Sequence, residues 1–281
     1  MAISPLEIGV CSWSLQVTSI PELKGFMDLL GMKAVQIACG DPHHASWEEG
    51  DEMPKVALAA GLVMTGTMLG FPGEDYTTPA TIQKTGGFGD PATRPERLAR
   101  LEWALARTRA LGLKDMMLHA GFLPDPKDPS RRAFLDTLGE AASLAKAKGI
   151  TLAFETGQET ADLLLETMKD LACDNLRINF DPANMLLYDK GDPIRAVEIL
   201  GPYIQSVHVK DAFRPQAVGE WGTEVPLGQG EVGMEKFLRG LKMAGYTGAL
   251  CIEREVGNQA ARFADISNGA KHLQNVLAGL A

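Results

Sequence analysis

The sequence predicts an α/β protein folded as a closed (β/α)8 TIM barrel. Short β-branched or apolar runs alternate with longer stretches of helical periodicity, and eight such alternations can be read along the chain, which is the signature of repeated βα units and a parallel sheet. The main rival is excluded by its missing signal. An open doubly wound sheet would place a glycine-rich phosphate-binding turn after its first strand, whereas the first strand here runs into Cys11-Ser12-Trp13-Ser14.

The expected strands are Ile8 to Trp13, Ala34 to Ile37, Leu62 to Met68, Asp115 to His119, Thr151 to Glu155, Leu176 to Asp181, Ser206 to Lys210 and Leu250 to Glu253. Helix starts are marked by a capping residue followed by proline, at Asp128-Pro129, Asp192-Pro193 and, more loosely, Ser19-Ile20-Pro21, because proline's missing N–H costs nothing in the first turn. Glycines 31, 61, 112, 149 and 245 stand just before strands and read as helix stops. Arg131-Arg132 reads as the start of a solvated helix. Two connections, Leu69 to about Thr93 and Ala212 to about Gly233, are longer than barrels favour and read as functional lids or binding loops on the C-terminal face. At 281 residues the chain fits one barrel, so residues 1–281 are read as a single domain.

Acids outnumber Lys plus Arg by 36 to 27, giving a formal charge of -9. Together with the absence of a dense basic run, this argues against nucleic acid as a partner. No stretch of about 18 apolar residues could span a membrane, and Met1 to Val10 lacks the basic and apolar regions of a secretory signal. The expectation is a cytoplasmic enzyme with no membrane partner, and a homo-oligomer stays open. Cys11, Cys39, Cys173 and Cys251 form no CxxC pair and read as buried free thiols.

In such a barrel the strand C-termini converge on one mouth. The fifth strand ends at Glu155, the sixth at Asp181, the seventh carries His208 and the eighth ends at Glu253. A single acid at a strand end often just caps the next helix, but four adjacent strands with ligand-type ends form a pattern. Three carboxylates in one opening repel each other unless a cation neutralises them, so Glu155, Asp181, His208 and Glu253 are expected to hold one divalent metal ion. Three oxygen ligands and one imidazole suit Mn2+, Mg2+ or Co2+, with Zn2+ admissible, since structural zinc sites are richer in sulfur and nitrogen.

Around this centre, His119 ends the fourth strand and is expected to touch substrate or make a structural hydrogen bond. Trp13 could wall a substrate ring or fill the barrel, Lys210 shares the inward face of His208, and Gln158 is a polar contact. Glu255 is a reserve ligand, His43 and His44 lie in the loop after the second strand, and His272 reads as structural.

The segments Phe154-Glu155-Thr156-Gly157-Gln158, Asn179-Phe180-Asp181-Pro182-Ala183-Asn184, His208-Val209-Lys210-Asp211 and Ile252-Glu253-Arg254-Glu255 resemble the sugar phosphate isomerase/epimerase family of xylose isomerase-like barrels, which includes the ketose 3-epimerases and hydroxypyruvate isomerase. The resemblance runs in order along nearly the whole chain. It implies the same four metal ligands, Glu155 and Glu253 as the catalytic acid/base pair, and Arg214, six residues after His208, as a substrate contact. Two positions depart from the epimerase pattern: Asn184 stands where many of those enzymes have a substrate-binding histidine, and Ala161 where they have a second glutamate.

The expected activity is isomerisation or epimerisation of a small sugar or keto-sugar through proton transfer and a metal-stabilised enediolate. The alternative is a lyase or dehydratase acting on an inosose or 3-keto-glycoside with the same metal site. A remote alternative is a DNA repair nuclease like endonuclease IV, whose three-zinc cluster needs more ligands than five histidines and these acids supply.

Overall fold

The computed structural model describes residues 4–40 and 46–280. His43 and His44 fall outside that range. Eight parallel strands close into a barrel: β1 (Ile8–Cys11), β2 (Ala34–Ala38), β3 (Val63–Leu69), β4 (Asp115–Leu118), β5 (Thr151–Glu155), β6 (Leu176–Phe180), β7 (Ile204–Val209) and, after an inserted hairpin, β10 (Leu250–Ile252), which pairs with β1 to complete the ring. The expected α/β barrel is therefore present, with every expected strand in place. The ends differ by one or two residues: the first strand stops at Cys11 because Ser12–Leu15 coil into a 3-10 turn, and His119, Asp181, Lys210 and Glu253 each lie just past their strand.

The helices that surround the barrel are α1 (Ile20–Leu30), α2 (Met53–Ala59), α3 (Pro79–Thr85), α4 (Arg94–Ala110), α5 (Arg131–Ala147), α6 (Ala161–Leu171), α7 (Pro182–Leu187), α8 (Pro193–Leu200), α9 (Met234–Met243) and α10 (Gln259–Gly279). Ser19 and Asp192 cap α1 and α8 as expected, accepting from the backbone N–H of Glu22 and Ile194. Asp128 does not cap α5. It closes a turn by accepting from the N–H and hydroxyl of Ser130, and the helix begins only at Arg131. Nor is Arg131 solvated: it is buried, donating to Pro124 O at 2.9 Å and to Asp170 Oδ2 at 2.8 Å. Its partner lies on α6, 39 residues away.

Most of the apolar core lies between the barrel and its helices. In α9, Phe237, Leu238 and Leu241 fall on one face and are buried, and Phe237 stacks on Phe180 of β6 at 5.7 Å. A second cluster formed by Cys11, Trp13, Ala34, Ala38, Ala249 and Cys251 packs separately from this layer. The thiols of Cys11, Cys39 and Cys251 are buried and Cys173 is partly so. Burial raises the thiol of Cys39 to about 12 and that of Cys251 to about 11, so both stay protonated.

Both long connections carry structure of their own. The first contains α3 and is tied by Glu74, which accepts from the N–H of Gly87 at 2.8 Å and of Phe71 at 3.2 Å. Gly87 is required there: with φ at 51°, a Cβ would sit 2.1 Å from the Ala120 carbonyl carbon. The second connection folds into an antiparallel pair, β8 (Asp211–Phe213) and β9 (Thr223–Val225). Asp211 anchors this pair by accepting from the N–H groups of Ala212, Gly228, Gly230 and Val232.

Candidate metal centre and substrate cavity

Glu155, Asp181, His208 and Glu253 are brought together at the C-terminal mouth, with one ligand-type atom from each lying within 4.8 Å of the others. All four are buried. Their convergence follows from strand order, since β5, β6, β7 and β10 are consecutive around the ring. Each side chain is also restrained. Asp181 caps α7 with Oδ1, which accepts from the N–H of Ala183 at 2.8 Å and of Asn184 at 2.9 Å, leaving Oδ2 free to face the cluster. The capping role and the role in the cluster thus use different oxygens. Thr156 binds both the N–H and the carbonyl of Asp181, locking the ends of β5 and β6 together.

His208 is oriented by Gln36, a residue on β2 that the sequence did not single out. His208 Nε2 meets Gln36 Oε1 and donates to it, which turns Nδ1 toward the carboxylates. Nδ1 lies 2.6 Å from Glu155 Oε1 and 3.5 Å from Glu253 Oε1. Asp181 Oδ2 is buried without a partner. An unpaired buried carboxylate oxygen beside two further carboxylates is costly as it stands, and a divalent cation would satisfy all four groups at once. The donor set therefore fits a metal ion with a preference for oxygen.

The electrostatics of the protein alone reflect the crowding. Burial, together with Glu253 and Glu155, pushes Asp181 well above the usual carboxylate range, although Lys210 and His208 oppose this. Burial would also raise Glu155, but His119 and His208 outweigh it and hold Glu155 below the usual range. Burial works against charge on His119 and His208, yet the neighbouring carboxylates prevail and raise each to about 9.

A cavity of about 630 Å³ opens above this cluster. His119, Trp13, Lys210 and Asn184 all line it. His119 Nε2 donates to Glu155 Oε2 at 2.8 Å. Trp13 Nε1 donates to Glu253 Oε1 at 2.7 Å, and the indole packs edge-on against His208 at 5.6 Å. Lys210 Nζ donates to Glu253 Oε2 at 2.8 Å, to Glu255 Oε2 and, at 3.4 Å, to Asn184 Oδ1.

Other expected residues lie outside this group. Gln158 is buried beside the Tyr188 hydroxyl and does not line the cavity. Arg214 points away from it, donating to Asp189 Oδ1 at 2.9 Å and to the Gly191 carbonyl at 2.7 Å. Glu255 lines the rim as the partner of Lys210 rather than joining the four-group cluster. His272 lies against Gly228 in the loop after β9.

Besides Gln36, sequence reasoning missed Asn179, which donates to Glu155 Oε1 at 3.2 Å and accepts from Ser206. It also missed Glu159, a buried acid with one unpaired oxygen. Burial and nearby Glu155 raise Glu159 to about 8, against the pull of His119 and Lys190. Asn179 sits inside the quoted motif, and its polar side chain in a buried strand was an available signal. Gln36, the polar residue of the buried run Ala34–Ala38, carried the same signal, whereas nothing local marks Glu159.

Comparison with known proteins is consistent with this architecture. The chain is 33% identical to a xylose isomerase domain protein from Planctomyces limnophilus, with 97% of each chain covered and a TM-score of 0.87. An L-ribulose 3-epimerase shares the fold at 19% identity and a TM-score of 0.73, covering 98% of this chain and 95% of its own. An uncharacterized protein from Methanocaldococcus jannaschii is 27% identical over 196 residues, or 63% of this chain, and the match spans 64% of that relative's length. The family model for xylose isomerase-like TIM barrels matches residues 20–276, and the chain belongs to that family.

Proposed function

We propose that this chain is a divalent-metal-dependent isomerase or epimerase of a small sugar or keto-sugar. The observation that carries the reading is the pairing of two carboxylates, Glu155 and Glu253, that both line the cavity and both belong to the four-group cluster. They come from strands separated by β6 and β7, so they approach a substrate from different parts of the ring. The structural likeness to an L-ribulose 3-epimerase supports the same class of chemistry.

Glu155, Asp181, His208 and Glu253 would hold the ion. A bound Mn2+, Mg2+ or Co2+, or Zn2+, supplies Lewis-acid charge beside a carbonyl oxygen, where negative charge develops as the neighbouring C–H proton leaves. The protein's own groups do the rest. One of Glu155 and Glu253 takes the proton from carbon and the other returns it, each already aimed by its hydrogen bonds. His119 steadies Glu155, while Trp13 and Lys210 together restrain both oxygens of Glu253. Asn184 and Lys210 offer polar contacts to sugar hydroxyls at the same end of the cavity.

The test is incubation with ketoses, inososes and 3-keto-glycosides in D2O, followed by NMR. Deuterium at carbon with the skeleton retained supports an isomerase or epimerase. Release of water or a fragment supports the second reading, a lyase or dehydratase, which begins with the same deprotonation and is favoured by a cavity larger than one sugar ring. The absence of exchange from any of them removes the proposal.

A further inference from the structure

The strand β10 stops at Ile252, and Glu253 keeps one further ladder bond, from its N–H to the Val209 carbonyl at 3.1 Å. Past that point the backbone donors need other acceptors, and they find them on side chains. Arg254 N donates to Ser14 Oγ at 2.9 Å, and Glu255 N donates to Glu224 Oε1 at 2.9 Å.

The neighbours of β10 in the ring are β1 and β7. Trp13 and Ser14 lie in the turn after β1, while Glu224 lies on β9 in the hairpin that follows β7. The segment that carries Glu253 is therefore braced from both sides. The brace on the β7 side comes from an insertion, since β8 and β9 form a two-stranded sheet apart from the barrel.

Glu224 is buried and lines the cavity. The same Oε1 that accepts from Glu255 N also accepts from Arg254 Nη1 at 2.6 Å, and Arg254 Nε is held in turn by Asp265 Oδ2 of α10 at 2.9 Å. One carboxylate oxygen thus fixes the two residues that follow Glu253, the first by its side chain and the second by its backbone. Such charge-assisted bonds are stronger than neutral ones. The other oxygen, Oε2, stands 3.9 Å from Lys210 Nζ, which donates to Glu253 Oε2 at 2.8 Å. At that separation Glu224 attracts the ammonium without taking its hydrogen bond from Glu253.

We propose that Glu224 is a positioning residue for proton transfer: through this one carboxylate the hairpin holds Arg254, Glu255 and Lys210 so that Glu253 keeps its aim at the substrate carbon. The inference rests on the function proposed above and adds to it a residue outside the barrel.

The test uses the metal-loaded protein and whichever ketose, inosose or 3-keto-glycoside exchanges deuterium fastest. Glu224→Ala is expected to lower kcat about tenfold while Kd by calorimetry stays within about twofold of wild type and metal content is unchanged. Glu224→Gln keeps one oxygen for both Arg254 and Glu255 N, and is expected to restore kcat to within about threefold of wild type. Combined with Trp13→Phe, Glu224→Ala is expected to cost less than the product of the two separate losses, because both act on Glu253. If amide exchange over residues 211–232 shows that alanine unseats the hairpin, Glu224→Asp, which keeps the charge and loses the reach, takes its place with the same expected fall. A wild-type kcat in the variant, or a weaker Kd with kcat unchanged, would overturn the positioning role and leave the proton-transfer function standing. Absence of exchange in the wild type would remove both.

Discussion

Trp13 and Glu253, 240 residues apart in sequence, share a buried hydrogen bond of 2.7 Å from the indole N–H to a carboxylate oxygen. The bond ties the turn after β1 to the end of β10 where the barrel closes. Trp13→Phe keeps an aromatic wall and removes only the donor. The expected result is a fall in kcat of about tenfold, the scale of one misaligned catalytic group, with metal content unchanged. A variant that exchanges protons at the wild-type rate would show that Glu253 needs no such restraint.

Glu155→Gln and Glu253→Gln each retain side-chain shape while losing the base and one of its two acceptor oxygens. Each is expected to lower exchange by at least about 100-fold, in line with loss of a general base, while circular dichroism and thermal unfolding stay close to wild type. Near-normal turnover in either variant would remove that residue from the proton-transfer pair.

Glu159 gives a pH signature of its own. Its carboxyl is raised to about 8 in the folded protein, chiefly by burial. A raised folded value means that its contribution to stability is fully present below the unfolded value and is lost as pH rises through about 8. Glu159→Gln should therefore match wild type near pH 4 and become relatively more stable toward pH 8, by roughly 1.4 kcal/mol per pH unit at most. Parallel unfolding curves for the two proteins across that window would show that Glu159 ionises freely.

Asp211 holds the hairpin lobe through four backbone N–H groups. Asp211→Ala leaves several of these donors without a partner, at a cost of about 1–3 kcal/mol for each buried one. The expected result is faster amide exchange and proteolysis confined to residues 211–232, with loss of substrate affinity because Trp221, which lines the cavity, is carried on that lobe. Protection equal to wild type there would show that the strand pair stands without the aspartate.

The barrel was legible because its evidence is local and repeated: each strand shows its apolar run, and proline or glycine marks many helix ends. The four clustered groups were legible for a related reason, since strand order alone brings the ends of β5, β6, β7 and β10 together. What was not legible depends on partners distant in sequence. Arg131 looks like a surface residue until Asp170 comes within 2.8 Å. Arg214 turns away from the cavity because Asp189 and Gly191 lie beside it. The hairpin strands are three residues each and depend on a buried aspartate, so no periodicity marks them. Gln36 matters only because barrel closure brings β2 within reach of His208.

The central claim is that Glu155, Asp181, His208 and Glu253 share a single cation. Elemental analysis of the purified protein, with Asp181→Asn as its control, tests it most directly. About one divalent ion per chain is expected in the wild type, removable by chelation and absent from the variant. Two or three ions per chain, or full metal content retained by the variant, would contradict it.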